Sequence, residues 1–94
     1  PISTEIPVEY TLQQNYPNPF NPVTNINFSV PKSGVVKLTV YDASGRETAT
    51  LFNGRLSAGT YNYDFDASQL ASGIYFYKLE SNDFSQTKKM VLIK

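Results

Sequence analysis

Residues 24–40 read TNINFSVPKSGVVKLTV, two alternating runs on either side of a proline–glycine break. In the first run Ile26, Phe28 and Val30 fall on one side while Asn25, Asn27 and Ser29 fall on the other. That period of two is what a strand with one buried face requires, because successive side chains of a strand point to opposite faces. Pro31 cannot donate to a ladder, and Lys32-Ser33-Gly34 supplies a turn. In the second run, Val35–Asp42, the inward set is Val36, Leu38 and Val40, with Lys37 and Thr39 outward. Two strands and a short connection therefore set the theme: an antiparallel β fold.

The same grammar continues downstream. Asp42-Ala43-Ser44-Gly45 suits a type I turn closed by a glycine in the left-handed region, with Arg46–Phe52 as the return strand. Asn53-Gly54 predicts a tight turn, and Ser57-Ala58-Gly59 a further loop. Thr60–Phe65 alternates again, with Tyr61, Tyr63 and Phe65 on one face. Asp66–Leu70 predicts one short helical turn, capped by Asp66, with Gln69 at the capping-box position and Leu70 entering the core. Ser72-Gly73 ends that turn. Ile74–Leu79 (IYFYKL) is nearly continuous in apolar residues, which predicts a central strand covered on both faces. Ser81-Asn82-Asp83 turns the chain, and Phe84–Ile93 closes the domain. The sum is about seven short antiparallel strands without a disulfide, the pattern of an all-β, immunoglobulin-like β-sandwich.

Upstream, Tyr16-Pro17-Asn18-Pro19-Phe20-Asn21-Pro22 (YPNPFNP) holds three prolines in seven residues. It can be neither helix nor central strand, since each proline lacks an N–H and fixes φ. Residues before proline are pushed to extended conformations, so the segment predicts a rigid bend pinned to the sandwich by Tyr16 and Phe20, with Phe20 buried. Residues 1–9 read as a linker or edge segment, and residues 10–94 as one domain. With no initiating Met and no signal peptide in view, the chain reads as a piece cut from a longer polypeptide or a processed product, which is compatible with a C-terminal module.

Composition narrows the function. Eight Lys plus Arg balance eight Asp plus Glu, so the electrostatic footprint of a general nucleic-acid binder is missing. The chain has no Cys and no His, which excludes zinc sites built from them and any nucleophile–histidine dyad. Asp64 and Asp66 lie two apart on a strand, but a carboxylate pair for glycoside hydrolysis needs a cleft between its members. Asp64-x-Asp66-x-Ser68 opens like a calcium loop, yet Gln69 and Tyr75 stand where that loop needs Gly and Glu. A looser calcium site from Asp42, Asp64 or Asp66 stays open at this level. Tyr61, Tyr63, Tyr75 and Tyr77 read more economically as core and rim than as a sugar-binding platform. Asn27-Phe28-Ser29 fits the N-glycosylation pattern, but its place within a strand weakens it. No hydrolase elbow, phosphate loop or dinucleotide fingerprint is found, so we expect neither an enzyme nor a cofactor.

The stretch Thr87-Lys88-Lys89-Met90-Val91-Leu92-Ile93-Lys94 supports two readings: a last strand whose lysines discourage edge pairing, or a short address presented to a partner. LQQNYPNPFNP (Leu12–Pro22), TNINFSV, VYDASGRE (Val40–Glu47), LSAGTY (Leu56–Tyr61), ASGIYFYKL (Ala71–Leu79) and TKKMVLIK, in this order, resemble the type A C-terminal sorting domain of the bacterial type IX secretion system. The strands are also similar in pattern to the immunoglobulin-like domain of the flagellar hook-capping protein. The sorting-domain resemblance covers nearly the whole chain. Its marks here are Tyr16–Pro22, Asp42 and Gly45, Gly73, and the terminal run. It implies a secretion signal that is substrate rather than catalyst, attached to the C-terminus of a cargo protein. Outer-membrane machinery would recognise the signal, and a sortase-like peptidase would remove it. Cargo would pass through the periplasm to the surface or medium of a Gram-negative bacterium. Carried over residue by residue, the signal falls on Lys88, Lys89, Met90, Val91, Leu92, Ile93 and Lys94. The terminal position and the basic pair lead us to expect that the last strand, with both Lys88 and Lys89 outward, is an exposed edge captured by strand addition. The competing reading is an immunoglobulin-like accessory, carbohydrate-binding or structural module of a secreted multidomain enzyme.

Overall fold

The alternating runs become seven strands in a computed structural model that describes residues 6–94 apart from Asp83. They are β1 (Thr11–Leu12), β2 (Val23–Val30), β3 (Gly34–Asp42), β4 (Glu47–Leu56), β5 (Gly59–Asp66), β6 (Gly73–Ser81) and β7 (Phe84–Leu92). Every pairing between them is antiparallel. One sheet has the order β1-β2-β5 and the other β4-β3-β6-β7. The predicted inward sets meet between the sheets: Ile26, Phe28, Val30 and Phe65 from the first face Val36, Leu38, Val40, Tyr75, Tyr77, Leu79, Met90 and Leu92 from the second. Full burial of each such side chain stabilises by roughly 1.5–3 kcal/mol, which is how a chain without cross-links holds a sandwich together. The immunoglobulin-like, all-β architecture expected from the pattern is the one observed.

Local chemistry explains the turns. The Gly45 amide donates to the Asp42 carbonyl at 3.0 Å, and the Asp42 amide to the Arg46 carbonyl at 2.8 Å. Gly45 has a φ of 90°, a conformation that a Cβ would strain. The Asp42 carboxylate fastens the same turn, accepting from the Ser44 amide, the Ser44 hydroxyl and the Arg46 amide at 2.7–3.0 Å. Led by the Ser44 hydroxyl and then the Arg46 amide, these donors hold the carboxyl down at about 2.

Four details differ from expectation. Asn53-Gly54 is no turn: β4 runs straight through it, pairing Asn53 with Lys37 and Gly54 with Val36. Ladder pairing and the packing of Phe52 and Leu56 against the core override the local turn preference. Asp66–Leu70 is a hydrogen-bonded turn and not a helical one. Asp66 caps it as expected, accepting from the Ser68 amide, and the Leu70 amide donates to the Ala67 carbonyl; Leu70 packs partly buried against the core, while Ala67 takes the fully buried place. β6 is central, between β3 and β7, but only one of its faces is covered; Ile74 is exposed and Phe76 and Lys78 are half-exposed on the other. The fourth detail is Tyr16, which does not pin the bend: it is 80% exposed, while Phe20 is 2% exposed. Of the turn predicted at Ser81-Asn82-Asp83, Asn82 adopts a left-handed φ of 51° and Asp83 lies outside the described residues. Residues 1–5 of the predicted linker lie outside them as well.

Candidate recognition surface

The proline-rich segment and the end of β7 form one unit. After β1 the chain stays with β2, the Gln13 amide donating to the Asn27 carbonyl at 2.9 Å, then forms an antiparallel bridge between Tyr16 and Asn25. It next crosses to the other sheet, where Phe20 forms a parallel bridge with Leu92. The Phe20 amide donates to the Val91 carbonyl at 2.9 Å, and the Ile93 amide to the Phe20 carbonyl at 3.0 Å. Asn18 Oδ1 accepts from the Val91 amide at 2.9 Å, and Gln14 Nε2 donates to the Lys89 carbonyl at 2.8 Å. A side-chain amide and a short stretch of extended backbone thus stand in for a neighbouring strand. Prolines suit this strap because it uses few of its own N–H groups.

A buried polar network sets where the strap crosses. The Tyr77 hydroxyl donates to the Gln13 carbonyl at 2.6 Å and accepts from the Asn15 amide at 2.8 Å. Asn15 Nδ2 donates to Thr24 Oγ1 at 2.9 Å and to the Pro17 carbonyl at 3.2 Å, and the Thr24 hydroxyl also donates to Pro17 at 2.9 Å. Asn15, Thr24 and Tyr77 are all buried, so each polar atom needs these partners. Burial pushes the Tyr77 phenol up to about 12, the Asn15 amide pulling weakly the other way. Tyr77 is the core residue its place in the sequence predicted, but its hydroxyl's role, and those of Asn15 and Thr24, were not read from the sequence. A signal was present: Thr24 occupies an inward position of the alternating β2, two residues before Ile26.

The terminal run divides by face. Met90 and Leu92 are core residues, 0% and 1% exposed. Lys88 shares their side of the strand, opposite Tyr77, and is half-buried. The expectation that both lysines face outward is therefore corrected, since adjacent strand residues cannot share a face. The outward set is Lys89, Val91 and Ile93, with Ile93 52% exposed. Lys94 is exposed too, its amide bonded to Ser72 Oγ at 3.0 Å and its ammonium to the Ser68 carbonyl at 2.6 Å.

The acidic candidates do not converge. Asp42 is engaged in its own turn, Asp64 accepts from Asn25 Nδ2 at 2.8 Å, and Asp66 caps Ser68. Among the described residues no group of three or more possible metal-binding side chains gathers. Tyr75 and Tyr77 are buried and Tyr61 and Tyr63 half-buried against the core, which makes the four core and rim residues, as their alternation predicted.

The profile of one protein family, the secretion system C-terminal sorting domain, matches residues 14–94. The chain belongs to that family. It is a C-terminal sorting domain of type IX secretion, as its motifs implied. No curated protein and no solved structure matches it. Membership gives the sorting domain an interaction with the type IX machinery and a role in bacterial export to the cell surface or beyond. No described helix is long and apolar enough to cross a membrane. The matched span begins at Gln14, where the strap begins, and ends at Lys94, so the family's unit contains both halves of the strap–β7 pair.

Proposed function

We propose that this sorting domain directs a cargo joined to its N-terminal side through the type IX translocon, and that the outward side chains at the end of β7 are what the machinery reads. Those side chains are Lys89, Val91, Ile93 and Lys94: two apolar groups framed by two cations. Lys88, Met90 and Leu92 support them from the inner side of the strand. A sortase-like peptidase then removes the domain on the cargo side of residue 10, at the cell surface of a Gram-negative bacterium. The observation that carries this reading is the double anchoring of the last strand, inward through Met90 and Leu92 and edgewise through Asn18 and Phe20. A translocon that accepts unrelated cargoes needs one feature held in constant geometry, and preorganised groups bind without a further ordering cost.

Deleting the terminal run would remove Met90 and Leu92 from the core, so a decisive test must change the surface alone. A reporter fused to the domain is expressed in a type IX host with Lys89→Ser, Val91→Thr, Ile93→Thr and Lys94→Ser combined. The purified variant should melt within a few degrees of the parent, while export of the fusion falls at least tenfold. Normal export of the folded variant would refute the assignment.

A further inference from the structure

Among the described residues four strands have an edge without a strand partner, and three of them are blunted. β1 is two residues long. β4 departs from regular register at two places, between Leu38/Thr39 and between Val40/Tyr41 of its partner β3. β7 carries Lys88 and Lys89, and its end is occupied by Asn18 and Phe20. Short length, bulges, lysines and covering segments are the usual means by which sheets avoid pairing with other chains. Among the described residues β5 has none of them. It runs eight residues in unbroken register with β2 and contains neither Pro nor Lys.

The direction of its backbone groups follows from the register. Asn25 exchanges both backbone hydrogen bonds with Tyr16, at 2.9 and 3.0 Å, so its amide and carbonyl point away from β5. Its register partner Asp64 therefore sits in a non-hydrogen-bonded pair and turns its own N–H and C=O to the outside of the sheet. By the period of two, Asn62 and Thr60 do the same, opposite Asn27 and Ser29. Among the described residues no backbone hydrogen bond outside the β2–β5 ladder reaches these groups.

We propose that the β5 edge is a strand-addition site for an extended segment of a partner protein bearing Lys or Arg at alternate positions. The outward amides and carbonyls of Thr60, Asn62 and Asp64 supply the ladder, and side chains at alternate positions supply the choice of partner. The exposed carboxylates of Asp64 and Asp66 lie on one face of the added strand and select cations there. Tyr61 and Tyr63, half-buried on the opposite face, gain apolar cover from the intervening residues. A second copy of this chain is the poorer occupant: a β5–β5 pair gathers four carboxylates on one face, and β5 contributes no cation to meet them. The site is on the other sheet from β7 and does not depend on the export reading.

The test uses the isotope-labelled 94-residue chain and a cyclised hairpin peptide whose outer strand reads Val-Lys-Val-Lys-Val-Thr, so that the added strand is already extended. Binding should slow exchange of the Asn62 and Asp64 amides and confine shift changes to β5. A Glu-for-Lys peptide should bind at least tenfold more weakly. Asn62→Pro removes one outward N–H without touching the β2 ladder and should abolish binding; Asp64→Lys, an exposed change that needs no backbone adjustment, should reverse the preference between the two peptides. Perturbation of β4 or β7 in place of β5, equal binding of both peptides, or dimerisation through β5 without peptide would each overturn the proposal.

Discussion

The two sides of the sandwich are finished differently. On one side the chain from Gln13 to Phe20 leaves β2, crosses the gap and completes the edge of β7 with Asn18 and Phe20. On the other side β4 and β5 face solvent, and most of the partly exposed apolar residues packed against the core collect there: Ala49, Leu51, Phe52, Leu56, Tyr61 and Tyr63. The closed side is held by buried polar groups that need one geometry, whereas the open side rests on apolar contacts that tolerate several. The difference teaches where positional accuracy was invested: along the edge of the last strand, beside the residues proposed above as the signal.

The largest effect should come from the closed side. Phe20→Ala removes a fully buried ring that also sets the strap, and should cost about 3–5 kcal/mol in denaturant unfolding. Leu51→Ala, on the open side, should cost under about 1.5 kcal/mol, because the side chain is only partly withdrawn from water. Equal losses would break the comparison. Next come pH effects at Tyr77. Its phenol is held at about 12, above the ordinary value of 10, so its contribution is complete below pH 10 and is lost as pH rises through 12. That loss is about 2–3 kcal/mol, read as the difference in alkaline unfolding between the parent and Tyr77→Phe. Asn15→Ala should cost about 1–3 kcal/mol, since Thr24 and the Pro17 carbonyl lose a buried donor. The smallest effect is at the Asp42 turn. Its carboxyl is depressed, so its contribution is present above pH 4 and fades as pH falls toward 2, and Asp42→Asn should flatten the acid limb of the stability curve only slightly.

The β architecture was legible because alternation is a local property: Ile26, Phe28 and Val30 announce their face without knowledge of any partner. The Asp42–Gly45 turn was legible for the same reason. What failed depended on partners far along the chain. Asn53-Gly54 has turn chemistry, but Lys37 and Val36 of β3 keep it in the ladder. IYFYKL reads as doubly buried, yet nothing in the sequence shows that no layer lies over Ile74 and Phe76. Phe20 was placed correctly as a buried pin, while the hydrogen bonds it makes, to Val91 and Ile93, join residues more than 70 positions away. For the terminal run, the sequence did not tell one face from the other and only register could divide it, placing Met90 and Leu92 in the core and leaving Lys89, Val91 and Ile93 on the outward face.

Amide hydrogen exchange on the native chain tests the contrast between the two sides most directly, comparing the edge amides of β7 with those of β5. The Val91 and Ile93 amides, bonded to Asn18 and Phe20, should exchange as slowly as amides at the sheet centre. The Asn62 and Asp64 amides, turned toward solvent, should exchange orders of magnitude faster. Rapid exchange at Val91 and Ile93, matching Asn62 and Asp64, would contradict a last strand held in place by the strap.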